Sequence, residues 1–151
     1  NLPPLEIIDC KVETEVPQGM LFGGLSVNAT DYNKSLRETE ELRINKTIEI
    51  WNRVIQIKQD YVEAYLYLAG IFQKLHDFEQ VRILKEKALI AYDMRILNKD
   101  FMDDAIIDKS ILLKELYGTE RAIEYMQKIL SENADENLPE SRNWIIGLKN
   151  S

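Results

Sequence analysis

Residues 61–89 read YVEAYLYLAGIFQKLHDFEQVRILKEKAL, two apolar-periodic stretches on either side of a short break at 76–78. Tyr65, Leu68, Ala69 and Phe72 recur at spacings of three, one and three, which places them on one helical face. Val81, Leu84, Ala88 and Ala91 do the same beyond the break. The stretch therefore predicts a helix, a tight turn and a second helix. One such pair cannot cover its own apolar faces, so the fold has to continue by stacking further helices against it.

The rest of the chain supplies them. "SLRETEELRINKTIEIWNRVIQIKQ" contains no Gly or Pro, and Ile44, Ile48, Trp51 and Ile55 form a helical stripe within it. Past Ala91 the stripe runs on to Ile96. "NKD" at 98–100 is expected to cap a new helix, with Asp103 and Asp104 in its first turn complementing the positive helix end. Gly118 is expected to end that helix, "TERAIEYMQKIL" forms the next, and "SENADEN" is a polar loop. Pro139 then opens a last helix, since proline is tolerated at the first helical position. Residues 1–27 read differently. Ile8, Cys10, Val12, Thr14 and Val16 alternate with Asp9, Lys11, Glu13 and Glu15, the period-two pattern of a half-buried strand. "PQG" at 17–19 is a turn signal, and "MLFGGLSV" is a second strand or an extended arm.

Composition narrows the function. The 151 residues make one domain's worth of chain, enough to bury roughly 70% of the extended-chain surface. The net charge is −7, with 26 acidic residues against 19 basic, and no Lys/Arg cluster is interleaved with aromatics, so a nucleic-acid partner is not expected. No apolar run approaches the roughly 18 residues of a membrane span. The single cysteine, Cys10, allows no internal disulfide. Residue 1 is Asn, which reads as a processed or truncated form and leaves the compartment open.

The spacing of the two helices resembles the tetratricopeptide repeat (TPR), whose first helix carries W-x2-L-G-x2-Y and whose second carries A-x3-F. Tyr65, Leu68, Ala69 and Phe72 stand at the first-helix positions, and Val81, Lys85 and Ala88 at second-helix ones. Thirty-four residues before Val81, Thr47, Trp51 and Val54 repeat the second-helix set, and forty-one residues after it Ala122, Met126 and Ile129 do so again. Ile106, Ser110 and Leu113 match Tyr65, Ala69 and Phe72 at the same offset. The departures are Lys85 in place of an aromatic, Asp93 in place of proline and Lys109 in place of leucine. The first helix of the earliest unit, near Asp31 to Leu42, matches only at the small Ser35. The resemblance implies a mainly α, right-handed antiparallel helix-pair solenoid. Its parts would be an N-terminal arm (1–27), about 2.5 to 3 repeats (28–134) and a capping helix (135–151) carrying Trp144, Ile145, Ile146 and Leu148. Seven extra residues between units are close to two helical turns, so the second helix of the middle unit should be over-long.

Members of this family usually bind ligands on the concave surface of their first helices. Carried over residue by residue, that surface is Glu63, Leu66, Tyr67, Gly70, Gln73 and Lys74 in the middle unit. In the last unit it is Asp104, Ile107, Asp108, Ile111, Lys114 and Glu115, and in the first unit Tyr32, Asn33, Leu36 and Thr39. An apolar floor with a polar rim suits an extended or amphipathic peptide. Leu66 and Tyr67 replace the Lys and Asn of the family's carboxylate clamp, so an acidic C-terminus is not the expected ligand. Two other readings stay open: these residues are inter-helix core, or the N-terminal arm with Met20, Leu21 and Phe22 fills the groove.

The chemistry-bearing residues point away from catalysis. His76 lies at a turn beside Asp77 with no partner suited to acid–base work. Asp100, Asp103, Asp104 and Asp108 lack the oxygen-rich, glycine-containing loop of a calcium site and have the simpler helix-dipole role. Gly23-Gly24 is not followed by the Lys-Ser/Thr of a phosphate loop. No catalytic residue, metal or cofactor is expected. The expected function is a scaffold, adaptor or chaperone-like module for a protein or peptide partner. The alternative is a structural subunit of a larger assembly, touching its neighbours through the arm and the outer helices.

Overall fold

The computed structural model describes residues 21–22, 25–26 and 29–151, and the chain divides into two compact units, residues 1–53 and 54–151. In the first unit β1 (Leu21–Phe22) pairs antiparallel with β2 (Leu25–Ser26), Leu21 opposite Ser26 and Phe22 opposite Leu25. The strand expected over residues 6–16 lies outside the described residues.

Helix α1 (Ala29–Ile57) is one uninterrupted helix of 29 residues. The resemblance implied a first helix ending near Leu42 and a second carrying Thr47, Trp51 and Val54. The chain does not turn there, and the physical reason is plain. Between Asp31 and Ile57 no proline removes an N–H and no glycine offers a left-handed turn, so nothing competes with propagation. Thr47 and Trp51, one turn apart, are its buried residues.

The second unit is built from α2 (Val62–Lys74), α3 (Phe78–Leu97), α4 (Met102–Tyr117), α5 (Thr119–Glu132) and α6 (Pro139–Lys149). Helix α2 packs on α3, α3 on α4, α4 on α5, and α6 lies against both α4 and α5. The protein is mainly helical. Leu68, Ile106 and Met126 are the largest of the fully buried apolar side chains, and the core between them is lined with Ala64, Ala88 and Ala122, each inaccessible to solvent. Small residues at those points let the helix axes approach closely. At 20 residues α3 is the longest helix of this unit, as its seven extra residues predict. No helix among the described residues is long and apolar enough to cross a membrane.

The turns follow local chemistry, with one exception. Between α2 and α3, His76 takes a left-handed φ of 59° and the Asp77 carboxylate caps α3 by accepting from the Gln80 N–H at 3.3 Å. Gly118, at φ 94°, ends α4 and begins α5, a conformation that glycine adopts without strain. Pro139 opens α6 as expected. The exception is the α3–α4 turn. Asp100 does not cap α4; Phe101 occupies the cap position in the left-handed region (φ 46°) with no side-chain bond to the helix, and Lys99 is left-handed as well. Phe101 and Leu97 flank this turn with 76% and 83% of their surfaces exposed.

Candidate functional site

Helix α4 decides what the second unit presents. Its buried residues, Ala105, Ile106, Ser110 and Leu112, face the core. On its other side run Asp104, Ile107, Asp108, Ile111, Lys114 and Glu115, none of them buried. The stripe Glu63, Leu66, Tyr67, Gly70, Gln73 and Lys74 on α2 is likewise unburied, while Val62, Ala64, Tyr65, Leu68, Ala69 and Ile71 are buried. A Cβ added at Gly70 would meet no atom within 4 Å. The sequence-derived surface is therefore an outward stripe on each of two helices. Those helices do not pack directly, because α3 lies against both. The α2 and α4 surfaces expected to line one concave groove are thus not in direct contact. Tyr32 and Leu36 lie on α1 in the first unit, both partly exposed, with Asn33 and Thr39 on the same helix.

A concave surface lies between α4 and α6. A groove of about 590 Å³ is lined by Ile107 and Lys114 from α4 and by Glu140, Asn143, Trp144, Gly147, Leu148 and Ser151 from the C-terminal segment. Two of the residues read from the sequence belong to it. The α6 residues were not among them, because the capping role assigned to α6 predicts burial of Trp144, Ile145, Ile146 and Leu148. Only Leu148 is buried; Trp144 is 37% exposed and Ile146 57%. The available signal was the pairing of Trp144 with Gly147 on one helical face, a large flat side chain beside a missing one.

What holds α6 at that spacing is a pair of polar struts. The Asp103 carboxylate accepts from the backbone N–H of Glu140 at 3.0 Å and of Ser141 at 2.8 Å, and also from the Ser141 hydroxyl. Helix α6 has no side-chain cap of its own, so Asp103 of α4 satisfies its orphan donors from across the seam. Ser141 is wholly buried as a result. Further along, the Trp144 indole N–H donates to the Ser110 hydroxyl at 2.8 Å, and that hydroxyl donates to the Ile107 carbonyl at 2.7 Å. The indole is thereby fixed at one edge while its face stays open. Ser110, which matches Ala69 in the repeat alignment, orients the tryptophan.

The three departures from the repeat pattern all form ion pairs, two of them with each other. Lys85 pairs with Glu115 and Asp93 with Lys109, both across α3 and α4. The Lys109 ammonium sits 4.8 Å from the centre of the Tyr125 ring. Burial, followed by the nearby Asp93 charge, raises the Tyr125 hydroxyl above its ordinary pKa, and that buried hydroxyl has no hydrogen-bond partner. On the α2 side Arg95 grips Glu63 with two nitrogens, at 2.7 and 3.3 Å. Burial works against the charged guanidinium, but Glu63 outweighs it and the net shift is upward. Asp108 is raised by burial first, then by Asp104, with Arg95 opposing. His76 is exposed and lies edge-on to Phe78. Among the described residues no three His, Cys, Asp or Glu side chains gather as metal ligands. Comparison with known protein families, curated proteins and solved structures finds no match.

Proposed function

We propose that this chain is a protein–protein interaction module, a TPR-like adaptor, scaffold or chaperone-like unit, which binds a partner's peptide or helix in the groove between α4 and α6. The observation carrying this reading is the presentation of Trp144. An indole 37% exposed, locked by Ser110 and set beside Gly147 over a groove of about 590 Å³, is an anchor whose ordering entropy has already been lost. Large, rigid aromatic side chains of this kind dominate binding energy at interfaces. Ile107, Leu148 and the neighbouring Ile111, 45% exposed, extend the apolar surface. No catalytic role is proposed.

Gly147 provides the test. A Cβ there would meet nothing within 4 Å, so Gly147→Leu fills the groove without disturbing the core. Replacing a helical glycine should leave stability unchanged or raise it by about 0.5–1 kcal/mol. Affinity capture from native extract with wild type and Gly147→Leu should show a partner lost only in the variant. A partner retained by a folded Gly147→Leu protein would move the binding surface elsewhere. The second reading, a structural subunit of a larger assembly, is favoured by the exposed Ile90, Leu97 and Phe101, which present apolar surface away from this groove.

A further inference from the structure

The charges around the groove are sorted along its length. Glu140 lines the end where α6 starts, next to the Asp103 strut, and Asp104 stands on α4 one turn before the groove residue Ile107, while Asp108 lies toward Arg95 and Tyr92 of α3. None of Asp104, Asp108 and Glu140 forms an ion pair among the described residues, whose pairs lie elsewhere. Asp108 is harder to ionise through burial first and then Asp104, with Arg95 opposing, so the Asp104 charge is felt by its neighbour one turn on. Lys114, also unpaired, lines the far end, ten residues and about 15 Å further along α4 from Asp104. Between these ends Ile107, Trp144, Gly147 and Leu148 make a mainly apolar surface, with Asn143 the polar side chain among them.

We propose that the occupant is an amphipathic partner segment whose apolar side chains cover Trp144 and Ile107 and whose Lys or Arg side chains lie at the Asp104–Glu140 end. This rests on the groove reading above and adds the partner's chemistry to it. A carboxylate brought to that end would face like charge over a low-dielectric floor; a cation meets opposite charge there and can lie against the indole face. The alternatives lack this chemistry. Residues 1–28 of the chain carry one lysine against four carboxylates, and a second copy brings a net charge of −7.

Two synthetic peptides with the same leucines at i, i+3, i+4 and i+7, one flanked by lysines and the other by glutamates, decide the matter by calorimetric titration into the full chain. The lysine peptide should bind about tenfold more tightly, by attraction on one side and like-charge repulsion on the other. The difference should shrink as salt is raised to about 0.5 M, where screening is short-ranged. The double variant Asp104→Lys, Glu140→Lys should reverse the preference. The milder Asp104→Asn, Glu140→Gln pair, checked for unchanged helicity, should abolish it. Equal affinities for the two peptides, both lost in Gly147→Leu, would overturn the charge assignment and leave the groove reading intact. Binding of neither peptide, or binding that Gly147→Leu leaves untouched, would overturn both. A concentration-dependent dimer dissolved by Gly147→Leu would give the groove to a second copy and overturn the proposal.

Discussion

Helix α4 packs on α3, α5 and α6, and its seams with α3 and α6 are joined by different chemistry. Against α3 it is tied by charge: Lys85 with Glu115, Asp93 with Lys109, and the Tyr117 hydroxyl donating to Glu86 at 2.9 Å. These acceptors lie toward solvent, with Glu115 55% and Asp93 56% exposed, while Leu84, Ala88 and Ala91 fill the α3 side of the core. Against α6 it is tied by two buried or half-buried polar struts, Asp103 to the α6 backbone and Ser110 to Trp144. The first seam is apolar within and charged at its rim. The second is propped open, and the groove is what the props leave. A rim charge has water as a substitute partner when its mate is removed, whereas a buried cap has none, so the two seams should fail very differently.

The largest effect should come from Asp103→Ala. Among the described residues it removes the side-chain acceptor shared by the N–H groups of Glu140 and Ser141 at the α6 N-terminus, while the Ser141 hydroxyl keeps the Asp103 backbone carbonyl at 3.2 Å. Losing a cap costs about 0.5–2 kcal/mol, and with two backbone N–H groups losing their acceptor a loss in the upper part of that range, about 1–2 kcal/mol, is expected. Hydrogen exchange should locate it: amides of 140–150 lose protection while those of α2 and α3 keep theirs. Uniform loss along the chain, or none, would mean that α6 does not depend on this strut.

The charged seam should give a smaller response. A double-mutant cycle on Asp93 and Lys109 isolates their coupling, and with Asp93 largely exposed about 0.5–1 kcal/mol is expected by urea denaturation. A coupling above about 2 kcal/mol would show this pair to be desolvated like a buried one and would erase the contrast between the seams.

Much of this was legible in the sequence, but unevenly. The helices of the second unit follow from apolar spacing, and their ends at Gly118 and Pro139 follow from residues with one dominant conformational preference. Phe101 and Lys99 carry no such signal, because a left-handed conformation in a non-glycine residue is imposed by what surrounds it. Helix α1 was divided by analogy although its residues contain no breaker. Asp103 was read as serving the dipole of its own helix, when its carboxylate serves another helix nearly forty residues away. A local rule identifies a cap by sequence distance, and this one acts across a seam. The ion pairs show the converse: Lys85, Asp93 and Lys109 each violate a pattern alone and are consistent only as contacts. The proposed groove lies between α4 and α6, where the resemblance implied α2 and α4, for a related reason. The residues of both stripes are unburied, but which stripes face one another depends on where the long α3 sets α4.

The smallest effect concerns Asp108, on the outward stripe of α4 with Arg95 opposing the carboxylates around it. Its carboxyl is raised above the ordinary 3.8, by burial first and then by Asp104. A raised acid takes up its proton more readily folded than unfolded. It therefore adds stability below that window and costs stability once pH rises through the folded value. Asp108→Asn should accordingly be the more stable form at pH 7, and the advantage should disappear as pH falls below about 3.8, where both carboxyl forms are neutral. Most of the side chain meets water, so screening holds the gain to about 0.2–0.5 kcal/mol. Thermal melts of the two proteins at pH 7 and pH 3 measure the sign directly. An asparagine variant that melts lower at pH 7 would mean that attraction to Arg95 outweighs burial and the neighbouring carboxylates. The acidic end of α4 would then be internally compensated, with no unsatisfied charge left to recruit a cationic partner.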